Sequence, residues 1–552
     1  MLLSKWPQIS RQLAHPLITR SLVSSSKSVT STNPKRKDRI NYNKSSILST
    51  DDDSKHLSYK RVTAADLATM QKPPRQVKML VRDFIHDSLY NPNYGYFPKN
   101  AVIFSADEPI DFHGLKDLPH FQDAVARKYR DEGGAEFTEP GPGKQVWHTP
   151  TELFKASLKS IILGLYLKLT RYSIYFIAQP WYGQAMARCL VNDYMLRYFP
   201  YEDFVIYELG AGNGTLAQNV LDYVRDHHPE VYERTSYRII EISRSLADLQ
   251  TARLRVAHPS IEVIHKSIFD WDVRVPGPCY FMAMEVIDNF PHDVLRYKLE
   301  DLKPYQALVA VDEDGDFSEI YEPINDPLIS QFLQYRSEIQ QIPPALSSPL
   351  YSSPALRSLY RAMPFSPNLT PKPEFIPTQL LSFLKVLREY FPRHRLLLSD
   401  FSSLPDTVAG FEAPVVQTRY RGTMVPVETF MVQQGYFDIF FPTSFELLRD
   451  MYELVMDKPI STLALPGSRS KQENIEEQEA GACLRLGSNF FIPHGRRILD
   501  GPGGGIELEG QETPQIFTHQ DFMRAYADLD ATRLRNGENP LLDYYQNFKV
   551  LF

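Results

Sequence analysis

One stretch, residues 204–216, restricts the fold of this chain more than any other feature. Its sequence is Phe-Val-Ile-Tyr-Glu-Leu-Gly-Ala-Gly-Asn-Gly-Thr-Leu. The apolar run predicts a strand over Phe204–Leu209, and the apolar residues after the glycines recur at helical spacing, which predicts a helix over Thr215–His227. A strand, a tight glycine turn and a helix form one βα unit, whose turn lets a ligand approach backbone N–H groups.

The loop itself indicates which nucleotide is bound. Gly210, Ala211, Gly212 and Gly214 give the spacing G-x-G-x-G, whereas the dinucleotide fingerprint is G-x-G-x-x-G. Glu208 precedes the loop, and its carboxylate would repel a pyrophosphate but attract a cationic ligand. The pattern therefore favours S-adenosylmethionine, which carries a sulfonium and an amino-acid head, over NAD.

Two later segments extend the predicted cofactor site. Glu241 lies in the next apolar run, 237–242, where a doubly wound fold has the acid that binds the ribose hydroxyls. Ser267 and Ile268 follow a short predicted strand, 261–265, and are expected to contact the adenine. The alternative is a structural glycine turn with acids that face solvent.

The order of the elements predicts an α/β fold. Helices are expected over 77–89, 182–198, 243–258 and 378–390, a loop-rich region over 105–148 and a helical end over 518–552. Strands are expected over 395–401 and in the apolar run 280–292, where the strand ends in acids. Strands that alternate with helices form a mostly parallel, doubly wound sheet, with its ligand at the carboxyl ends of the strands. Four acids are expected at such ends, namely Glu208, Glu241, Glu285 and Asp400.

Composition excludes several classes of protein. The chain has 552 residues, of which 43% are hydrophobic, so it can bury one large core or two smaller ones. Its cysteines, Cys189, Cys279 and Cys483, are widely separated, so neither a disulfide framework nor a metal site is predicted. The formal net charge of −7 disfavours nucleic acid and favours basic protein segments as partners.

The first 37 residues resemble a targeting segment. They contain no acid, seven basic residues and many serines and threonines, and they lack the apolar run of a secretory signal. This composition predicts a transit peptide that directs the protein to the mitochondrial matrix and is cleaved there. A disordered basic tail is the alternative.

Residues 156–179 interrupt the pattern of the chain. This run of 24 residues is apolar and basic without a single acid, and Lys168 and Arg171 in its middle make it a poor transmembrane span. We predict that it is absent from the working protein and is a retained intron. The alternative is a genuine amphipathic insertion that lies on a membrane surface.

These observations predict a division of the chain into regions. They are a transit peptide and linker (1–60), an N-terminal helical and substrate-lid region (61–200), a cofactor-binding core (201–322), a proline- and serine-rich insertion (323–377) and the rest of the sheet with C-terminal helices (378–552).

Several motifs resemble the MidA-type methyltransferases, a family that includes a mitochondrial complex I assembly factor that methylates a protein arginine. The similar segments are Asn-Pro-Asn-Tyr-Gly-Tyr at 91–96, Thr-Pro-Thr-Glu at 149–152, the glycine loop, Glu241 with Gln250, and Glu-Val-Ile-Asp-Asn-Phe-Pro at 285–291, with weaker matches at 398–401 and 435–439. The resemblance implies a Rossmann-like class I methyltransferase sheet with an N-terminal helical region and inserted loops. It also implies a protein substrate, such as a respiratory-complex subunit, and symmetric dimethylation of arginine.

The resemblance assigns roles to residues outside the cofactor loop. Glu285 and Asp288 would hold the guanidinium, whose charge must be offset beside a sulfonium because arginine stays protonated. Substrate contacts are expected from Tyr94 and Tyr96, in a loop that is either a lid or a packed aromatic turn, and from Asn289, Pro291 and Asp400.

The chain also departs from the family pattern at two positions. Met284 stands where the family usually has asparagine, and Ser402 replaces a glycine. A binding or assembly protein without turnover is therefore an alternative, as is a methyltransferase of small molecules.

Overall fold

The computed structural model describes residues 43–45, 56, 58–103, 110–132, 145–147, 149–154, 180–364, 366–420, 423–457 and 514–552. The predicted transit peptide, the run 156–179 and the predicted glycine-rich loops within 458–513 lie outside these ranges. The described residues form part of one compact unit, Tyr42–Phe552. Among them, no helix is both long enough and apolar enough to cross a membrane.

Nineteen strands are present in the described ranges. They are β1 (Asn43–Ser45), β2 (Lys60–Arg61), β3 (Val77–Leu80), β4 (Ala101–Ile103), β5 (Gln145–Trp147), β6 (Phe204–Leu209), β7 (Thr235–Glu241), β8 (Ile261–His265), β9 (Cys279–Met284), β10 (Asp293–Tyr297), β11 (Pro304–Val311), β12 (Phe317–Pro323), β13 (Glu374–Ile376), β14 (His394–Phe401), β15 (Val415–Tyr420), β16 (Thr423–Pro426), β17 (Asp438–Phe440), β18 (Ile516–Thr518) and β19 (Phe548–Leu551).

The α-helices of the same ranges are numbered in chain order. They are α1 (Ala64–Leu67), α2 (Val81–Tyr90), α3 (Tyr96–Asn100), α4 (Leu118–Glu132), α5 (Pro150–Leu153), α6 (Trp181–Arg197), α7 (Thr215–His227), α8 (Pro229–Tyr232), α9 (Arg244–Leu254), α10 (Pro327–Glu338), α11 (Pro349–Ser352), α12 (Pro354–Arg361), α13 (Thr378–Tyr390), α14 (Phe445–Asp457), α15 (His519–Tyr526) and α16 (Pro540–Asp543).

A seven-stranded sheet contains the predicted βα unit. Its strand order is β18-β19-β14-β9-β6-β7-β8. Strands β8, β7, β6, β9 and β14 are parallel to one another, whereas β19 and β18 are antiparallel to their neighbours. The carboxyl ends of the five parallel strands therefore meet along one edge.

Helices cover both faces of this sheet, because alternate residues of a strand point to opposite sides. Ile206 packs in a core with residues of α6, α7 and α15. Its neighbour Tyr207 packs in a second core with residues of α10, α13 and α14. The observed fold is thus mixed α/β, as the alternation of patterns predicts.

A second sheet of seven strands holds a third core. Strands β1, β12, β11, β10 and β13 pair in that order, β3 pairs with β11, and β2 pairs with β3. The short segment between β9 and β10 connects the two sheets.

The predicted helix over 77–89 is wrong in its first turn. Val77–Leu80 forms β3, which pairs antiparallel with β11 in the register Leu80↔Leu308, and the helix begins only at Val81. The spacing of apolar residues in 77–80 is compatible with a helix and with a strand, and pairing with β11 stabilises the strand.

Three further predictions of local structure need correction. The region predicted as loop-rich, 105–148, contains α4, and the C-terminal end predicted as helical, 518–552, contains β19 as well as α15 and α16. The predicted insertion 323–377 includes α10, which packs in the core, and β13, which pairs with β10. Short strands of three or four residues carry too little periodicity to be read from sequence. The region boundaries given above stay predictions.

Candidate functional site

The glycine loop joins β6 to α7 at the carboxyl edge of the parallel strands. Gly210, Gly212 and Gly214 have positive φ angles of 66°, 55° and 75°, which side chains with a Cβ rarely adopt. A Cβ on Gly214 would lie 2.8 Å from Leu254 Cδ1. Ala211 accepts a hydrogen bond from Gly214 N at 2.8 Å. The sequence therefore needs glycine here for conformation and for close packing.

Glu208 is the buried acid just before this loop. Its side chain is in the interior, where the Tyr237 hydroxyl donates to Oε2 at 2.8 Å. Burial raises the pKa of Glu208 to about 7, because the charged form loses hydration, and the Tyr237 hydrogen bond opposes this shift. A cation placed beside this carboxylate would therefore be bound strongly.

Glu241 reaches the same edge from β7. Its Oε1 accepts from Ser243 N at 2.8 Å, and its Oε2 accepts from Gln250 Nε2 at 3.1 Å. Gln250 Nε2 also donates to Gly212 O at 2.8 Å, so one amide joins the glycine loop to the second acid. The register Leu209↔Ile240 brings the ends of β6 and β7 together.

Ser267 and Ile268 lie beyond Glu241 along this edge. Lys266 N donates to Glu241 O at 3.0 Å, which places the segment after β8 next to the end of β7. Ser267 Oγ accepts from Phe269 N at 3.2 Å and begins a 3-10 helix in which Ile268 is buried. The structure therefore brings the predicted cofactor residues onto one edge.

Glu152 is a buried acid that was not among the predicted site residues, although it is the last residue of the Thr-Pro-Thr-Glu motif at 149–152. Its Oε1 accepts from Thr215 Oγ1 at 2.6 Å and from Asn213 Nδ2 at 3.3 Å. These bonds tie α5 to the first turn of α7, where a carboxylate is also favoured by the helix dipole. The Thr-Pro-Thr-Glu pattern was the signal that could have identified it.

A second group of acids follows β9 on the same edge. Glu285 is half-buried and has a positive φ of 54°, unusual for a residue with a side chain. Asp288 is 2% exposed, and its Oδ1 is buried without a hydrogen-bond partner among the described residues. Burial and then the charge of Asp400 raise the pKa of both carboxyls well above their usual values.

Asp400 organises the backbone of this turn. Its Oδ2 accepts from the N–H groups of Val286, Ile287 and Asp288 at 3.2, 3.0 and 3.2 Å, and its Oδ1 accepts from Phe401 N at 2.8 Å. Burial raises the pKa of Asp400 to about 7 against the effect of these four donors. These bonds give Asp400 a structural role at the site, and the predicted substrate contact stays a prediction.

The other predicted substrate residues are packed into the interior. The Tyr94 hydroxyl donates to Asp87 at 2.7 Å, and Tyr96 is fully buried. These contacts match the packed aromatic turn rather than the lid. Asn289 Nδ2 donates to Ile439 O at 3.0 Å. Pro291, two residues further along the chain, is buried as well.

Among the described residues, no group of His, Cys, Asp and Glu side chains is arranged to hold a metal ion.

Comparison with known proteins identifies the family. A family model described as "Putative S-adenosyl-L-methionine-dependent methyltransferase" matches residues 185–460, which is half of the chain. The chain belongs to this family. S-adenosylmethionine is therefore its cofactor, and methyl transfer is the class of its reaction.

One curated relative covers most of the chain. The "Protein arginine methyltransferase NDUFAF7 homolog, mitochondrial" of Schizosaccharomyces pombe is 24% identical over 430 residues, which cover 76% of this chain and 82% of that protein.

Two solved structures from Burkholderia thailandensis are also similar. One is a "COG1565 superfamily member and likely methyl transferase" bound to S-adenosyl-homocysteine, with 13% identity, a TM-score of 0.40 and coverage of 71% of this chain and 74% of that chain. The other, an uncharacterized COG1565 superfamily protein, has 15% identity and a TM-score of 0.33 and covers 60% of this chain and 75% of that chain.

Proposed function

We propose that this protein transfers the methyl group of S-adenosylmethionine to an arginine side chain of a protein. The observation that carries the proposal is a pair of carboxylates, half-buried Glu285 and buried Asp288, on a turn that touches the glycine loop. A Cβ on Gly210 would lie 3.1 Å from Val286 Cγ2, so the two segments are in contact. A cation between these acids would lie beside the cofactor loop.

The predicted cofactor residues suit S-adenosylmethionine in charge. Glu208 would attract the positive charges of the sulfonium and of the ammonium group on the methionine head, and Glu241 would accept hydrogen bonds from the ribose hydroxyls. Gly210, Ala211, Gly212 and Gly214 would provide a close backbone surface, and Ser267 and Ile268 would border the adenine. We further infer that the sheet is the doubly wound, Rossmann-like type of class I methyltransferases, because its strand order reverses at β6.

In the proposed reaction, residues of the chain stabilise the charge of the substrate and hold it in position. S-adenosylmethionine, when bound, supplies an electrophilic methyl group on a sulfonium. Glu285 and Asp288 would offset the charge of the incoming guanidinium and orient one of its nitrogens toward the methyl group. A carboxylate of this pair would also accept the proton that the nitrogen must lose on methylation, while the sulfur would leave as neutral S-adenosylhomocysteine.

The proposed methyl acceptor and the proposed location in the cell are supported by the Schizosaccharomyces pombe relative and by the first 37 residues of the sequence. The relative is named as a mitochondrial protein arginine methyltransferase, and the acid-free leader has the composition of a transit peptide. We propose the mitochondrial matrix as the location, a respiratory-complex subunit as the substrate, and symmetric dimethylarginine as the product.

Labelled cofactor and a mitochondrial extract test this proposal. Wild-type protein should transfer label to a protein band, and Glu285→Gln should reduce the initial rate at least a hundredfold, because one charge that offsets the guanidinium is lost. Glu313→Gln, a change at an exposed acid in the turn between β11 and β12, is the matched control and should keep the wild-type rate.

The other outcomes of this assay identify the alternatives. Label only in small molecules would indicate a small-molecule methyltransferase. No transfer by a protein that still binds the cofactor would indicate a binding or assembly protein. Met284 favours this alternative, because it is the last residue of β9, next to Glu285, and its thioether cannot donate a hydrogen bond as the asparagine of the family could.

A further inference from the structure

Asp438 is a buried acid that lies against the acidic turn and has no role in the site described above. It is the first residue of β17 and is 0% exposed. Asn289 Nδ2 donates both to Asp438 Oδ1 at 3.3 Å and to Ile439 O at 3.0 Å. Phe441 N donates to Asp288 O at 2.8 Å. Two consecutive residues of the turn therefore bind the strand that carries Asp438.

Two oxygen atoms in this region have no donor. Asp288 Oδ1 and Asp438 Oδ2 are both buried without a hydrogen-bond partner in the part of the chain that the structure describes. Burial raises the pKa of Asp438 well above its usual range, although Asn289, the Ile439 backbone and the nearby Gln417 side chain oppose the shift. Buried carboxylates are normally paired or hydrogen bonded, so two oxygens without partners in one region leave two acceptors for a cation with several N–H donors.

An aromatic ring borders the same carboxylates. The Tyr90 hydroxyl donates to Asn289 O at 3.1 Å. Burial raises the pKa of Tyr90, and the charges of Asp288 and Asp438 raise it further, which places the ring near both acids. Tyr90 stacks on Phe97 at a centroid distance of 5.2 Å and an interplanar angle of 20°. A flat cation such as guanidinium gains from both carboxylates and an aromatic neighbour.

We propose that Asp438 contacts the methyl acceptor directly and, together with Asp288, holds the edge of its guanidinium that faces away from the glycine loop. This inference rests on the proposed function, in which the acceptor is an arginine side chain. Glu285 and Asp288 bind from the side of Val286, which touches the glycine loop, and Asp438 binds from the opposite strand. Three carboxylates suit the five donors of a guanidinium better than the compact ammonium of lysine.

The Asn-Pro-Asn-Tyr-Gly-Tyr motif acquires a positioning role in this arrangement. Gly435 has a positive φ of 83°, and a Cβ there would lie 1.8 Å from Tyr94 O. Gly435 N also donates to Ser88 O at 3.2 Å. The loop that contains Tyr94 is thus packed directly against the segment that leads to Asp438, and it fixes that segment without a contact of its own to the substrate.

Calorimetry with short peptides tests the inference. The titrants are Gly-Gly-Arg-Gly-Gly and Gly-Gly-Lys-Gly-Gly, added to protein saturated with S-adenosylhomocysteine. Wild-type protein should bind the arginine peptide at least tenfold more tightly than the lysine peptide. Asp438→Asn should weaken arginine binding at least tenfold and keep the affinity for S-adenosylhomocysteine. Glu428→Gln, at an exposed acid of the neighbouring segment, should change neither.

Thermal stability separates a substrate contact from a structural role. Asp438→Asn removes a buried charge but preserves shape and the bond to Asn289, so its Tm should equal or exceed that of the wild type. A lower Tm, failure to fold, unchanged peptide affinity, or equal binding of both peptides would overturn the inference. Failure of the proposed function is a separate result, since protein that binds the arginine peptide through Asp438 but transfers no label would contradict only methyl transfer.

Discussion

Glu208 shows at the residue scale how burial prepares a carboxylate for a cation. Its pKa is raised to about 7 by burial, so the folded, ligand-free protein holds this proton to a higher pH than the unfolded chain does. The carboxyl therefore lowers the stability of the folded protein as the pH rises from about 4.5 to about 7. A bound cation would lower the pKa again, which couples cofactor affinity to pH.

The first prediction follows from this coupling. Affinity for S-adenosylmethionine should be about tenfold weaker at pH 6 than at pH 8, because the free protein must lose a proton before it binds at the lower pH. Glu208→Gln should bind weakly at both pH values and should have a higher Tm at pH 8. Calorimetry at the two pH values checks this, with the exposed Glu233→Gln as control. Equal wild-type affinity at both pH values would contradict it.

At the scale of single elements, the glycine loop depends on a short helix distant in sequence. Glu152 in α5 accepts hydrogen bonds from Thr215 and Asn213, which hold the loop against the start of α7. Loss of charged hydrogen bonds of this kind costs about 1.5–3 kcal/mol each. The loop should therefore lose its order when this carboxylate is removed.

The hydrogen bonds from Thr215 and Asn213 to Glu152 can be tested by removing the carboxylate. Glu152→Ala should weaken S-adenosylmethionine binding at least tenfold and lower the Tm by several degrees. Glu230→Ala removes an exposed acid from the first turn of α8 and serves as the matched control, with both properties unchanged. If Glu152→Ala bound the cofactor with wild-type affinity, the glycine loop would not depend on α5.

The elements that sequence could predict are those whose signal is local. The strand Phe204–Leu209, the helix Thr215–His227 and the helix Thr378–Tyr390 have the predicted bounds, because each is long and periodic. Strand β3 was missed because its pairing with β11 is tertiary. The segment 435–439 was noted as a weaker family match, but Asp438 was given no role, because it lies far from Asp288 in sequence and the bonds between β17 and Asn289 that bring the two together are tertiary.

At the scale of the whole molecule, the site lies where the two sheets are joined. Arg82 of α2 donates to Asp293 at 2.7 Å and to Asp326 at 2.9 Å, which ties the helix to β10 and to the start of α10. Burial opposes ionisation of Asp326, but its hydrogen bond with Arg82 keeps its pKa below the usual 3.8. This pairing therefore stabilises the fold above that pH and is lost as the pH falls below it.

The third prediction concerns this buried network. Arg82→Met should destabilise the protein by about 3–5 kcal/mol, because it leaves two buried carboxylates without their cation. Arg61→Met breaks an exposed ion pair of the same sheet, Arg61–Glu322, and should cost at most about 1 kcal/mol. Urea denaturation followed by circular dichroism measures both. Similar losses in the two variants would contradict a special role for Arg82.

Mass spectrometry of the labelled residue shows directly whether this protein methylates arginine. Mitochondrial extract is incubated with the protein and S-adenosylmethionine that carries a deuterated methyl group, and tryptic peptides are then sequenced. We expect deuterated methyl groups on arginine nitrogens, and we expect them to be absent when Glu285→Gln replaces the wild type. Deuterated methyl groups on lysine or another residue, or only on small molecules, would contradict the assignment of Glu285 and Asp288 as a guanidinium site.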